Sequence, residues 1–545
     1  MNSISAKKYY ELLNGGLNYL SLHEEEVNDL NVFPIPDGDT GKNMKMTLSG
    51  GLSKVVDSNT SIEVLSKTLG DGMLMSARGN SGVILSQYFA GMQDGFIDSI
   101  DVNVENITKA FLNGVKKAYQ SVFTPVEGTI LTVIREASEG IDKSEINSLE
   151  DFFTTWLKYA KISLTNTTNL LKELREANVI DSGGQGVVYI VEGMYKTLIG
   201  EDIEKVETIS KSNDLNPELF TSSMELKFGY CTEVLVRLQD SKVDVRHFDE
   251  SIFTDYLKTI GNSIVCFKTD SIIKVHVHTM TPYKVLEFGQ RYGEFLSIKI
   301  ENMMLQNEEK KLHEFKSVPA KPKKRSKYAS IAVATGDGMK ETFESLGVDY
   351  IIEGGQSKNP ASVDFIEAFD KVNADNIFVF PNNSNIVLAA TQAKDLYKKS
   401  NVIIIPTKNI GEGLVSLSMM DYTSDNVDEI EENFLDQISL SKTIEVSKAI
   451  RNANLNGVNI IKDNYIAISS KKVLCAENDS NSALIEAFKK LNYKNYSFFI
   501  IVYGKDVSIP LLDKLNELLE STLHINDVQF IDGGQDVYDY IAVLS

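Results

Sequence analysis

Apolar residues recur at helical spacing from the start of this chain. Tyr9, Leu12, Leu13, Leu17 and Leu20 fall on one stripe that other helices must cover. The pattern stays mostly helical from Ile4 to about Gly200. Further segments run over roughly 41–57, 60–77, 81–97, 105–123, 129–140, 148–175 and 184–199, many separated by Gly-, Pro- and Asn-rich breaks. That predicts an all-α bundle or barrel of about eight helices. Residues 201–225 turn polar and charged, which reads as a linker. Strand patterns then appear at 227–236 and 272–278 with helical pattern at 252–260 between them, a small α+β unit over 226–308. A Lys/Pro-rich tether, 309–327, holds Pro319, Pro322 and the run Lys323-Lys324-Arg325.

From Tyr328 the periodicity alternates. Strands at 331–334, 349–352, 377–380 and 402–405 are separated by helical segments, which predicts a parallel α/β sheet. After the acidic stretch 421–436 a second α/β-like region runs to Ser545. Glu353-Gly354-Gly355-Gln356 is echoed by Asp532-Gly533-Gly534-Gln535, each after a short apolar run, so 328–545 reads as two subdomains rather than a repeat array. The chain is thus multidomain: residues 1–200 all-α, 226–308 α+β, 328–545 α/β.

Composition narrows the classes. At 545 residues, 42% hydrophobic and 24% charged, this is an ordinary globular composition with room for several cores. No run approaches the roughly 18 apolar residues of a membrane span, and the N-terminus opens directly into amphipathic pattern without a signal peptide. The three cysteines, Cys231, Cys266 and Cys475, are far apart, which implies reduced thiols and a cytoplasmic setting. A net charge of −21 argues against nucleic acid or anionic lipid as partner. Roughly −13 of it lies from Tyr328 onward, where a basic partner surface could dock.

Candidate chemistry clusters in the breaks between helices. In Asn31-Val32-Phe33-Pro34-Ile35-Pro36-Asp37-Gly38-Asp39-Thr40-Gly41-Lys42-Asn43-Met44 the prolines hold an extended entry and Gly38 permits a turn. Asp37 and Asp39 can then face one space, and Thr40 opens a helix whose first N–H groups lack helical partners and suit a phosphate. Hard carboxylate oxygens beside such a terminus are what Mg²⁺ on a polyphosphate needs. The plainer reading is a capped turn. Arg78-Gly79-Asn80-Ser81-Gly82, Pro125-Val126-Glu127-Gly128-Thr129 and Asp181-Ser182-Gly183-Gly184-Gln185-Gly186 also precede helices. Alternate inter-helix loops of an antiparallel bundle fall at one end, so the four could share a pocket. In the middle unit His276 and His278 lie two apart on a strand, with Cys231 on another strand that could pair alongside. These three suit either a Zn²⁺-like or acid–base site, or surface histidines with a small buried thiol. Asn382-Asn383-Ser384-Asn385 could bind a phosphate or carboxylate, a polar loop after a strand being the default.

The first 200 residues, through P-D-G-D-T-G, R-G-N-S-G, P-V-E-G-T and D-S-G-G-x-G in that order, resemble the nucleotide-binding L domain of dihydroxyacetone kinases, the DhaL family. With K-V-H-V-H-T, I-E-N-M and a DegV-like C-terminal region, the whole chain resembles bacterial fatty acid kinases of the FakA or YloV type. The resemblance implies an eight-helix barrel holding ATP and two Mg²⁺, with Asp37 and Asp39 as metal cage. DhaL domains add a third carboxylate just before that loop; here Asn31 takes the place. Thr40, Asn43, Met44, Asn80, Ser81, Gly82, Thr129, Asp181 and Gly183 become the nucleotide contacts. The resemblance also implies a middle unit that forms a homodimer and carries a required Cys231–His276–His278 set. A separate fatty-acid-binding protein of FakB or DegV type would dock on the acidic C-terminal region. The function implied is transfer of phosphate from ATP to a fatty acid carboxylate presented by that carrier. A kinase of a small hydroxylated compound such as glycerone, and a non-enzymatic nucleotide-responsive scaffold for a lipid carrier, remain as alternatives.

Overall fold

A computed structural model of the chain describes residues 1–31, 38–122, 124–201, 203, 230–249, 251–269, 271–302, 325–356, 358–418, 420 and 424–545. Its N-terminal part is helical: α1 (Ala6–Leu22), α2 (Glu24–Leu30), α3 (Thr40–Lys54), α4 (Ile62–Ser76), α5 (Gly79–Met92), α6 (Val104–Gln120), α7 (Ile130–Asp142), α8 (Leu149–Leu170), α9 (Lys172–Ala177) and α10 (Ser182–Ile199). The sequence pattern does not separate out the short helices α2 and α9, because six or seven residues are too few to show a 3.6-residue period. Side-chain caps set several starts. Ser5 accepts from Lys8 N at 3.2 Å, and Asn103 and Asn106 form a reciprocal capping box on α6.

The predicted stripe on α1 is the inner face. Tyr9, Leu12, Leu13 and Leu20 are buried in a core shared with Phe111, Phe152 and Trp156, and Leu17 packs against it. Burying such side chains stabilises by about 1.5–3 kcal/mol each, which is what gathers helices of modest intrinsic propensity. α1 lies against α10 at backbone distance: a Cβ on Gly193 would stand 2.5 Å from the Gly15 carbonyl oxygen.

The next unit is an antiparallel sheet. With the two-residue pair β1 (Ser3–Ile4) and β2 (Val102–Asn103) counted first, its strands are β3 (Tyr230–Leu238), β4 (Gly261–Thr269), β5 (Ile272–Thr279) and β6 (Gly293–Asn302), ordered β4-β5-β3-β6. Helices α11 (Ser251–Lys258) and α12 (Pro282–Gln290) cover one face, where Val234, Val236, Ile273, Val275 and Val277 are buried.

The C-terminal region contains two sheets. β7 (Ser326–Ala334), β8 (Tyr350–Glu353), β9 (Ala374–Phe380) and β10 (Asn401–Ile404) form the expected parallel sheet, ordered β10-β9-β7-β8. The second region is mixed and mainly antiparallel. After the small hairpin β12 (Ala453–Leu455) and β13 (Val458–Ile460), its sheet combines β11 (Lys442–Lys448), β14 (Tyr465–Ser469), β15 (Lys472–Glu477), β16 (Phe499–Tyr503), β17 (Gln529–Asp532) and β18 (Tyr540–Leu544) in the order β15-β14-β11-β18-β16-β17. Only β16 and β17 run parallel there. One hydrophobic core joins the sheets, with Phe378 and Phe380 beside Ile500, Val502 and Ile541. The repeated acidic-Gly-Gly-Gln sequences follow the edge strands β8 and β17, and bring Gln356 and Gln535 to one cavity between the sheets.

The C-terminal region also packs on the helical one. Ala77 and Val83 share a core with Ile331, Phe365, Phe369 and Val379. Ser362 N donates to the Ala77 carbonyl at 3.2 Å, and Arg78 forms a β-bridge with Ala361.

Candidate functional site

All four predicted breaks reach one cavity of about 290 Å³ at one end of the helices. Its lining includes Asn31, Asp39, Thr40 and Asn43 from the first break, Asn80 and Ser81 from the second, Thr129 from the third, and Asp181 and Gly183 from the last. Met44 and Gly82 are not among the described residues that line it. Met44 is fully buried in the helical core, and Gly82 is where α5 approaches Thr47 of α3, at 2.5 Å from its Oγ1 for a notional Cβ. Asp37 lies outside the described residues.

The local chemistry differs from a row of open helix termini. At the start of α3 the N–H groups of Gly41 and Lys42 already donate to Asn28 Oδ1, at 2.8 and 3.3 Å. Those N–H groups, expected to face a phosphate, are thus already hydrogen-bonded to a side chain from α2, an element that the sequence pattern does not show. Asp181 caps α10 by accepting from Gly184 N at 2.6 Å, and it also accepts from Ile130 N at the head of α7. One carboxylate thereby clamps two helix starts. Burial pushes its pKa up to about 6 despite those two donors. Glu127 accepts from Thr132 Oγ1 at 2.6 Å, from Arg135 at 3.0 Å and from Tyr119 at 3.0 Å, which fixes the loop that carries Thr129. Ser182 Oγ donates to Thr40 Oγ1 at 3.3 Å and ties the first break to the last.

Asp39 is buried, and burial holds its carboxyl above the usual range, opposed by hydrogen bonds from Asn43 and Asn359. Asn359 belongs to the C-terminal region and donates through Nδ2 to Asp39 Oδ2. The Asn359 backbone carbonyl in turn accepts from Arg78 at 3.0 Å. Asn80 Nδ2 donates to Asn385 Oδ1 at 3.2 Å. Arg78 and Asn80, which the sequence places in a phosphate loop, are therefore also the seat of the C-terminal region.

Two buried carbonyl oxygens here, Asn80 Oδ1 and Asn359 Oδ1, have no hydrogen-bond partner among the described residues. Of these, Asn80 lines the cavity together with Asn31 and Asp39, and these residues supply hard oxygen atoms to it. The residues present fit a Mg²⁺ ion, although no group of three His, Cys, Asp or Glu gathers among the described residues.

The side chains of Cys231, His276 and His278 lie outside the described residues. Backbone register sets Cys231 opposite His278 and Glu233 opposite His276 across β3 and β5. Val234, Val275 and Val277 of the same strands enter the core.

Several residues of the cavity lie outside the set expected from sequence: Ile84, Glu173, Leu174, Ser182 and, from the C-terminal region, Ser384, Asn385 and Lys471. Ser384 and Asn385 carry a signal in their polar loop. Lys471 carries none. No described helix is long and apolar enough to cross a membrane.

Comparison with known proteins accounts for most of the chain. The DAK2 domain profile matches residues 34–196, the middle-domain profile of FakA-like fatty acid kinase proteins matches 227–310, and the C-terminal profile of the same FakA-like proteins matches 329–544. An uncharacterized protein of Staphylococcus haemolyticus is 34% identical over 554 residues, covering 99% of each chain. One of Staphylococcus aureus strain USA300 is 34% identical over 555 residues, and one of Staphylococcus epidermidis 33% over 553, each again covering 99% of both chains. Among solved structures, DegV, a fatty acid binding protein from Bacillus subtilis, aligns at a TM-score of 0.30 and 10% identity, over 40% of this chain and 99% of that one. That score is too low to carry an argument. The three profiles in sequence and the full-length relatives settle the family: this chain belongs to the FakA-like fatty acid kinase proteins, with a kinase-type DAK2 domain at its N-terminal end.

Proposed function

We propose that this protein is the ATP-dependent component of a fatty acid kinase. It transfers the terminal phosphoryl group of ATP to the carboxylate of a fatty acid presented by a separate carrier, giving an acyl phosphate and ADP. The observation that carries this reading is that residues from four separate sequence motifs, among them Asp39, Asn80, Thr129 and Asp181, line one cavity in a chain of this family. A carboxylate acceptor is already a charged nucleophile, so no base need remove a proton. Catalysis then consists of positioning and charge neutralisation. Asp39, with Asp37 and Asn31, would hold Mg²⁺, which when bound supplies neutralisation of the phosphate charge. Asn43, Ser81 and Thr129 adjoin the phosphates or the sugar. The buried Asp181 keeps the heads of α7 and α10 in place, so that the wall of the pocket is set before the nucleotide arrives. The Cys231–His276–His278 face of the middle unit helps bring the carrier's carboxylate to the nucleotide, and the same unit forms the homodimer.

The test is a phosphoryl-transfer assay with ATP and Mg²⁺, offering either a carrier-bound fatty acid or glycerone. ADP release that depends on the loaded carrier supports the reading. Release with glycerone alone would replace it by the small-substrate kinase, and release with neither would leave a nucleotide-responsive scaffold.

A further inference from the structure

The cavity at the end of the helices is not closed by helices alone. Ser384, Asn385 and Lys471 form part of its wall. The same three residues line a second cavity of about 210 Å³ between the two C-terminal sheets, so the cavities share a partition. Lys471 stands at the tip of the hairpin between β14 and β15. Ser470 and Lys471 have φ of 48° and 67°, a tight turn of the kind that connects adjacent antiparallel strands and fixes where its tip points.

Charge singles this lysine out. A nucleoside triphosphate brings about four negative charges, and the described lining of the first cavity contains Asp39, Glu173 and Asp181. Lys471 is the one cationic side chain in that lining, among the described residues. It makes no hydrogen bond or ion pair to a described residue, whereas Lys45 on α3 pairs with Glu24 at 2.7 Å. Partial burial and the neighbouring Lys408 lower its pKa, the condition of an ammonium that lacks a counter-ion.

We propose that the C-terminal region completes the nucleotide pocket, and that Lys471 is the cation that meets the β- and γ-phosphates of a nucleoside triphosphate bound there. Ser384 and Asn385 flank it as neutral hydrogen-bonding groups, and the Asn80–Asn385 and Asp39–Asn359 contacts hold the C-terminal region in register with the helices. This inference rests on the pocket being a nucleotide site. It differs from the docking role expected of the C-terminal region by giving that region a direct contact with substrate.

Binding of Mg·ATP and of AMP to the full-length chain, measured by titration calorimetry at fixed ionic strength, tests it. Lys471→Met should weaken Mg·ATP about tenfold, as expected for the loss of one charged hydrogen bond, and leave AMP unchanged. Lys471→Arg should restore most of the affinity. Lys472→Met, a neighbouring charge outside both cavities, should bind as the wild type does. Lys471→Gln is a second neutral variant should the methionine one fold poorly. Unchanged Mg·ATP affinity in Lys471→Met would overturn the proposal and leave the nucleotide reading standing. Equal losses in Lys471→Met and Lys472→Met would overturn it as a mere field effect. A wild-type chain that binds no Mg·ATP would remove the nucleotide reading and this inference with it.

Discussion

Glu445 allows a sharp test of the C-terminal packing. It lies on β11 and lines the cavity between the two sheets, with the Glu412 carboxylate near it and a hydrogen bond from Tyr538. Burial and Glu412 raise its pKa from an ordinary 4.5 to about 8, against the smaller opposing effect of Tyr538. The folded chain therefore holds this proton more tightly than the unfolded chain. Below the unfolded value both states are protonated and the site costs nothing. As pH rises through the window from 4.5 to about 8, the unfolded state gains by releasing the proton, and folded stability falls. At about 1.4 kcal/mol per pH unit the loss at pH 7 is about 3 kcal/mol. Glu445→Gln keeps the shape and the hydrogen-bonding capacity and has no proton to lose. Its stability should match the wild type near pH 4.5 and exceed it by about 3 kcal/mol at pH 7, about 5–10 °C in the melting of the C-terminal region. Thermal unfolding of both full-length proteins at several pH values reads this directly. A difference that stays constant with pH, or a wild type that gains on the variant as pH rises, would refute the burial argument.

Three further outcomes are expected. Asp39→Asn should abolish metal-dependent nucleotide binding and reduce turnover by at least about a hundredfold, read by titration with and without Mg²⁺. His276→Ala should lose transfer to the carrier-bound acid while Mg·ATP affinity stays at the wild-type value; a fall in that affinity would show that the middle unit has another role. Gly193→Ala places a methyl group against the Gly15 carbonyl and Tyr19 Cβ, within 2.5 and 2.6 Å, and should cost about 1–3 kcal/mol in the denaturant midpoint of the helical region.

The sequence alone determined a good deal. The spacing of Tyr9, Leu12, Leu13 and Leu20 was enough to set the inner face of α1, because burial at period 3.6 admits one arrangement of that stripe. The alternation from Tyr328 onward likewise specified the parallel sheet, because strands joined through helices must run the same way. Breaks rich in glycine, serine and aspartate marked where α3, α5, α7 and α10 begin, and their recurrence pointed to one end of the helices. Local propensity and hydrophobic period are near-neighbour properties, so they are written along the chain.

Tertiary structure decided what those residues touch. Asn28 reaching the N–H groups of α3, Asp181 clamping α7 as well as α10, and Asn359 seated on Asp39 each join positions far apart in sequence. Lys471 is an unremarked hairpin lysine until the fold brings its turn to the nucleotide pocket. Such contacts depend on how whole sheets and helices pack, through apolar faces like that of Ala77, Val83 and Phe365, and no local pattern records which polar group a packed face will deliver to a neighbour.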